Sequence, residues 1–157
     1  MPDDLVIDTN VWAHSYDPRN ALFTGASHFI ELFMNSDTKL VFDEGFESDE
    51  AKNTSGIFSE YKNQLSPTST SFIFLSKILE MGRYRICSTN VSAKDRGIIN
   101  KNVTDPTDRK FVKVAINAED HFLVSNDSGA FPDVTNRILQ RQCGVKVFNA
   151  EDAQNLY

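Results

Sequence analysis

Cysteine is scarce in this chain, and what the sequence lacks narrows its chemistry quickly. Only Cys87 and Cys143 occur among 157 residues. They lie far apart and outside any C-x-x-C pairing, which excludes a zinc cluster or redox pair and leaves free, partly buried thiols as the expectation. The three histidines, His14, His28 and His121, show no H-x-x-x-H or H-E-x-x-H spacing, so zinc chemistry built on imidazole is excluded too. Long apolar runs are missing. Phe72-Ile73-Phe74-Leu75 is far too short to span a bilayer, and the acidic start Met-Pro-Asp-Asp lacks the basic stretch and apolar core of a secretory signal. The expectation is a cytoplasmic protein with no membrane contact. There is no internal repeat, low-complexity tract or linker, so one domain over residues 1–157 is expected, long enough to bury a real core.

Positive charge is also in deficit. Sixteen Lys and Arg against 22 Asp and Glu leave a formal charge of −6, which argues against indiscriminate nucleic-acid binding, since affinity for phosphate backbones comes mainly from basic side chains. The average hides an asymmetry. Residues 1–82 carry 5 basic and 13 acidic side chains, residues 83–113 carry 8 and 3, and residues 114–157 carry 3 and 6. The middle segment is either a solvated helical face or a phosphate-contacting patch.

What is present reads as alternating strands and helices. Leu5-Val6-Ile7 is an apolar, mostly β-branched run that ends abruptly in Asp8-Thr9-Asn10, the pattern of a buried strand with a polar C-terminal end. Residues 20–35 place Leu22, Ala26, Phe29, Ile30 and Phe33 at amphipathic-helix spacing. Residues 39–42 form a second apolar strand ending at Asp43 and Glu44, and residues 45–55 are a polar loop. Ile57, Phe58, Tyr61 and Leu65 lie on one helical stripe that Ser66-Pro67 interrupts. Phe72, Leu75, Ile78 and Leu79 define the next helix, stopped at Gly82. Residues 84–89 suit an edge strand, and Ser92 can cap a short helix reaching Asn100. Asp105-Pro106-Thr107-Asp108 is the clearest helix start, continued by Phe111, Val112, Ala115 and Ile116. A strand at 121–125, a helix at 134–142 stopped by Gly144, a strand at 145–148 and a closing helical turn complete the chain. Strands alternating with helices, without tight hairpin signals, predict an α/β domain with a parallel sheet of four to five strands sandwiched between helices.

In such sheets ligands bind where the strands run out, so acids at strand ends and helix starts draw attention. Asp8 and Asp127 each follow a strand, while Asp105 and Asp108 open a helix. Hard divalent cations such as Mg²⁺ or Mn²⁺ take oxygen ligands of this kind, and a bound cation relieves the repulsion of crowded carboxylates.

Four motifs together carry a family resemblance. Asp8-Thr9-Asn10 after an apolar strand, Glu60 in Ile-Phe-Ser-Glu-Tyr, Asp108 in Asp-Arg-Lys-Phe-Val-Lys-Val-Ala, and Ser125-Asn126-Asp127 after a later strand resemble the ordered acidic motifs of PIN-domain nucleases over almost the whole chain. The resemblance implies a Mg²⁺- or Mn²⁺-dependent endoribonuclease cutting single-stranded or structured RNA, often as the toxin half of a toxin–antitoxin pair, with an antitoxin protein as partner and a homodimer as a common assembly. On this resemblance Asp8, Glu60, Asp108 and Asp127 are the catalytic acids, and Asp8, Asp108 and Asp127 the metal ligands. Asn10, Ser125 and Asp105 support them. Arg83, Arg85, Lys94, Arg96 and Lys101 are the residues proposed to hold the rest of the RNA strand. Two departures stand out. Gly129 occupies a position where many members have a further aspartate, and the long loop before Glu60 leaves Asp43 or Glu44 as alternatives for the second acid.

Each residue also has a plainer reading. Asp105 can be an N-cap, Asp108 a first-turn acid favoured by the helix dipole, Glu60 a solvated surface acid, and Asp127 a turn former. Trp12 can stack on a base or fill the core, and Phe111 and Tyr61 read as core. Two other functions compete with the nuclease. One is a catalytically silent PIN-like module that binds RNA or protein. The other is an aspartyl-phosphate phosphatase, disfavoured because Asn10 stands where that chemistry needs a second aspartate.

Overall fold

The apolar run near the start becomes β1 (Asp4–Ile7), with Leu5, Val6 and Ile7 wholly excluded from solvent. In the computed structural model, which describes residues 1–157, it is the central strand of the sheet. Thr9 and Asn10 do not extend it. They begin a short helix, α1 (Thr9–His14), which corrects the reading of the Asp8-Thr9-Asn10 trio as strand. Helix α2 (Phe23–Met34) then leads to β2 (Lys39–Asp43). The predicted loop follows, holding a 3-10 turn at Glu50–Lys52, and the interrupted helical pattern resolves into α3 (Gly56–Gln64) and α4 (Thr70–Glu80). Serines start both helices: the Ser55 hydroxyl accepts the Phe58 N–H at 3.1 Å, and the Ser69 hydroxyl accepts the Phe72 N–H at 3.2 Å.

The expected edge strand is β3 (Tyr84–Cys87), reached through Gly82 in the left-handed region at φ 63°. Helix α5 (Ala93–Asn102), capped by Ser92, precedes a 3-10 turn at Pro106–Asp108 that runs straight into α6 (Arg109–Asn117). The chain closes with β4 (Phe122–Val124), α7 (Asp133–Cys143), β5 (Lys146–Phe148) and α8 (Ala150–Ala153). Gly144, at φ 75°, terminates α7 as its sequence position suggests.

All four strand pairings are parallel, in the order β3-β2-β1-β4-β5. This is the predicted α/β architecture with five strands. Right-handed crossovers, together with the observed helix contacts, put α1 to α4 and α8 on one face and α5 to α7 on the other. No helix is long and apolar enough to cross a membrane. Trp12 and Tyr61 are fully buried between these layers, so Trp12 is a core residue. Strand order reverses at β1, whose neighbours β2 and β4 are reached by connections running to opposite sides. The topological switch point, where ligands bind in such sheets, therefore lies at the C-terminal ends of β1 and β4, where Ile7 pairs with Val124.

Candidate functional site

Asp8 sits at that switch point, one residue past the end of β1, and is 3% exposed. It occupies the N-cap position of α1, yet its side chain makes no capping hydrogen bond to the helix backbone. The carboxylate is held instead by its own motif and by the end of β4: Oδ2 accepts Asn10 Nδ2 at 2.9 Å and Ser125 Oγ at 2.7 Å. Asn10 also accepts the Asn126 N–H through Oδ1 at 2.9 Å, and Asn126 Oδ1 accepts the Ala150 N–H at 2.9 Å. The amide ladder ties β1, the loop after β4 and α8 together. The predicted supporting residues Asn10 and Ser125 thus orient Asp8, and Asn126 is a further member that sequence reading missed.

Burial is the main reason the Asp8 carboxyl is pushed up to about 6 from an ordinary 3.8, with the negative charges of Asp108 and Glu60 adding to it and the Ser125 hydroxyl opposing. That shift costs about 3 kcal/mol when the group is ionised at neutral pH.

Asp108 lies in the 3-10 turn before α6 and is half-buried. No protein donor reaches its carboxylate. Its carboxyl is also raised, to about 6, first by burial and then by the charges of Asp105, Asp127 and Glu60, with Lys110 opposing. Asp105 is the plain cap: Oδ1 accepts the Thr107 N–H at 2.9 Å and Thr107 Oγ1 at 2.8 Å, and the first of these chiefly holds its carboxyl below the usual range. Asp127 is exposed on the loop after β4, with Oδ1 accepting the N–H groups of Gly129 and Ala130 at 3.0 Å each. A Cβ on Gly129 would stand 3.2 Å from that oxygen, closer than ordinary contact, so a side chain there would press on the turn that aims Asp127.

Glu60, half-buried on α3, differs from the other three acids. One carboxylate oxygen accepts the Thr9 hydroxyl, and the other accepts Lys110 Nζ at 2.8 Å. Asp43 and Glu44, the alternatives for this position, are committed elsewhere. Asp43 accepts the Ser55 hydroxyl and the N–H groups of Gly56 at 2.8 Å and Ile57 at 3.0 Å, serving as a helix-start acceptor for α3. Glu44 accepts the Thr89 hydroxyl at 2.7 Å.

Asp8, Glu60, Asp108 and Asp127 therefore share one end of the sheet, close enough for their charges to act on one another. No side chain donates to Oδ1 of Asp8, to either oxygen of Asp108 or to Oδ2 of Asp127, although the Thr9 N–H also favours the charged form of Asp8. All these oxygens are hard donors of the kind Mg²⁺ and Mn²⁺ take, and in that respect the donor set fits such a cation. No group of three or more His, Cys, Asp or Glu side chains converges closely enough to hold a metal ion as the side chains stand. Asp8 is fixed by its neighbours, whereas Asp108 and Asp127 lie on a turn and a loop.

Two of the five basic residues require correction. Arg83 is buried, and its guanidinium donates to the carbonyls of Phe33 at 2.8 Å and Met34 at 3.0 Å while lying over the Phe33 ring. It closes the C-terminal end of α2 and is not free to meet RNA. Arg85 pairs with Asp4 at 2.9 Å and Glu119 at 3.3 Å, at the opposite end of the sheet from Asp8. Lys94, Arg96 and Lys101 are exposed on α5. A cleft of about 520 Å³ between α2, α8 and the Asn126–Ser128 loop opens beside the site, although none of the four acids lines it.

No protein-family model matches the chain, and no curated protein matches it. Among solved structures, the chain is similar to the crystal structure of VapBC2 from Rickettsia felis bound to a DNA fragment from their promoter. The identity is 14% and the TM-score 0.47, over 93% of this chain and 98% of that one. A likeness this loose carries no argument about function.

Proposed function

We propose that the protein is a divalent-metal-dependent endoribonuclease of the PIN-domain kind. The observation that supports this reading is that Asp8, Asp108 and Asp127 lie at one end of the sheet, near the point where strand order reverses, each with a carboxylate oxygen that no side chain donates to. A cation held by these three acids would activate water for attack on a phosphodiester and neutralise charge developing on the phosphate. Asp8 is the anchoring ligand, kept in one orientation by Asn10 and Ser125. Asp127 presents Oδ2 because Gly129 and Ala130 occupy Oδ1. Positive charge at the reacting phosphate is left to the cation, which reconciles RNA chemistry with an acidic chain. Lys94, Arg96 and Lys101 are the basic side chains left to hold the rest of the strand.

The sequence resemblance also brings with it a role as a toxin with an antitoxin partner, and homodimerisation. These rest on that resemblance alone. A second reading, a catalytically silent module that binds RNA or protein, is favoured by the failure of three acids to converge and by Gly129. Cleavage of structured and single-stranded RNAs with Mn²⁺, with EDTA, and with Asp8→Asn separates the two. Cleavage that needs both the ion and Asp8 is expected, and cleavage indifferent to both would refute the nuclease site.

A further inference from the structure

Lys110 is the basic side chain that enters the acid group, and the proposed function assigns it no task. It stands in the first turn of α6, with a side chain only 21% exposed. Its ammonium donates to Glu60 Oε1 at 2.8 Å and to the carbonyl of Thr107 at 2.6 Å, and lies 4.8 Å from the centre of the Phe111 ring. The stem reaches this position by crossing the first residue of α3, Gly56. A Cβ there would lie 3.4 Å from Lys110 Cδ and 3.3 Å from Asp43 Oδ2. Glycine is a poor helix former, and a side chain at this position would meet the stem at ordinary contact distance and Asp43 Oδ2 slightly more tightly. With the Thr9 hydroxyl on its other oxygen, Glu60 has a fixed partner on each side.

We infer that Lys110 is a positioning residue that withholds Glu60 from the metal, its ammonium standing where a second cation would otherwise be drawn, so that the site takes a single divalent ion. This rests on the metal-site reading above and goes beyond it by dividing the four acids into three ligands and one acid already neutralised. Carboxylates grouped without counter-charge attract cations until the repulsion is relieved. A permanent ammonium 2.8 Å from Glu60 relieves part of it without a metal.

The test is Mn²⁺ titration by calorimetry, with free Mn²⁺ counted by electron paramagnetic resonance, on the full chain and on Lys110→Met, which keeps the stem and removes the charge. The wild type should bind about one Mn²⁺ and Lys110→Met about two, with Lys110→Met/Glu60→Gln returning to about one. Lys110→Arg should behave as the wild type. Should Lys110→Met unfold, a wild-type count set against Glu60→Gln decides the matter: unchanged binding supports the inference, and loss of an ion overturns it. Two ions on the wild type, or one on both the wild type and Lys110→Met with equal affinity, overturn the inference while leaving the metal site standing. No binding by either chain overturns both. Binding gained only in Lys110→Met overturns the inference, because the wild-type site would then take no ion.

Discussion

Asp4 and Asp8 stand at opposite ends of one central strand, four positions apart, both shut away from water, and their surroundings oppose each other. Asp4 is answered on every side: Arg85 at 2.9 Å, the Glu119 N–H at 3.0 Å and the Asp120 N–H at 3.2 Å. Asp8 receives two neutral donors on one oxygen and faces further acids on the other side. A buried carboxylate whose partners are all supplied by the fold is part of the scaffold. One whose neighbours raise its proton affinity is unfinished without a cation, and the two ends of β1 display the two cases side by side.

The largest effect expected from breaking this contrast is on chemistry. Asp8→Asn should reduce Mn²⁺-dependent RNA cleavage to the level of a reaction without protein, whereas Asp4→Asn should leave cleavage by the folded fraction unchanged. Stability should move the opposite way. Asp4→Ala leaves Arg85 without its buried partner and strips acceptors from two backbone N–H groups, at a cost of roughly 3 kcal/mol in urea denaturation. Asp8→Asn removes a buried charge and should stabilise the metal-free protein by about 2 kcal/mol at pH 7.

The pH dependence sharpens the same point. The folded carboxyl of Asp8, at about 6 against 3.8 when exposed, binds its proton more tightly than the unfolded chain does. Its favourable contribution is complete below about pH 4 and is lost as pH rises through 6. Asp108 shifts in the same direction, with a smaller energetic weight because it is more exposed. Metal-free protein should therefore lose stability between about pH 4 and 6 from these two groups, and Asp8→Asn should flatten that part of the curve. Mn²⁺ should restore the lost stability of the wild type at pH 7, and Asp8→Asn should show no such gain.

Much of this was legible beforehand, for physical reasons that differ by residue. β1, β2, the capped starts at Ser92 and Asp105, and the stops at Gly82 and Gly144 are local signals in which side chain and backbone geometry agree. The helix at Thr9–His14 escaped notice because its buried Val11 and Trp12 are too few to show a period. Asp8 and Asp127 could be placed at strand ends, since that position follows from the pattern of the strands themselves. The fates of Arg83 and Arg85 could not, because both depend on carbonyls and carboxylates supplied by distant segments. Lys110 was hidden for the same reason: its partner Glu60 lies on another helix, and only the tertiary fold brings them together.

Smaller effects test the remaining assignments. Asp43→Ala should cost about 1 to 2 kcal/mol by removing the acceptor at the start of α3, with Mn²⁺ affinity unchanged, as calorimetry would show. Smallest of all, Lys101→Gln should weaken RNA binding by less than about tenfold and lower its salt dependence. Arg83→Gln should leave RNA affinity alone and reduce only thermal stability, because it loses contacts with the end of α2.

The most direct measurement is a crystal soaked in Mn²⁺ and recorded at the manganese absorption edge. An anomalous peak bonded to Asp8 Oδ1, with Asp108 or Asp127 drawn in to complete the site, is the expected result. A crystal with no peak at Asp8, or with manganese bound only to acids elsewhere on the surface, would contradict the claim that this end of β1 is built to hold a cation.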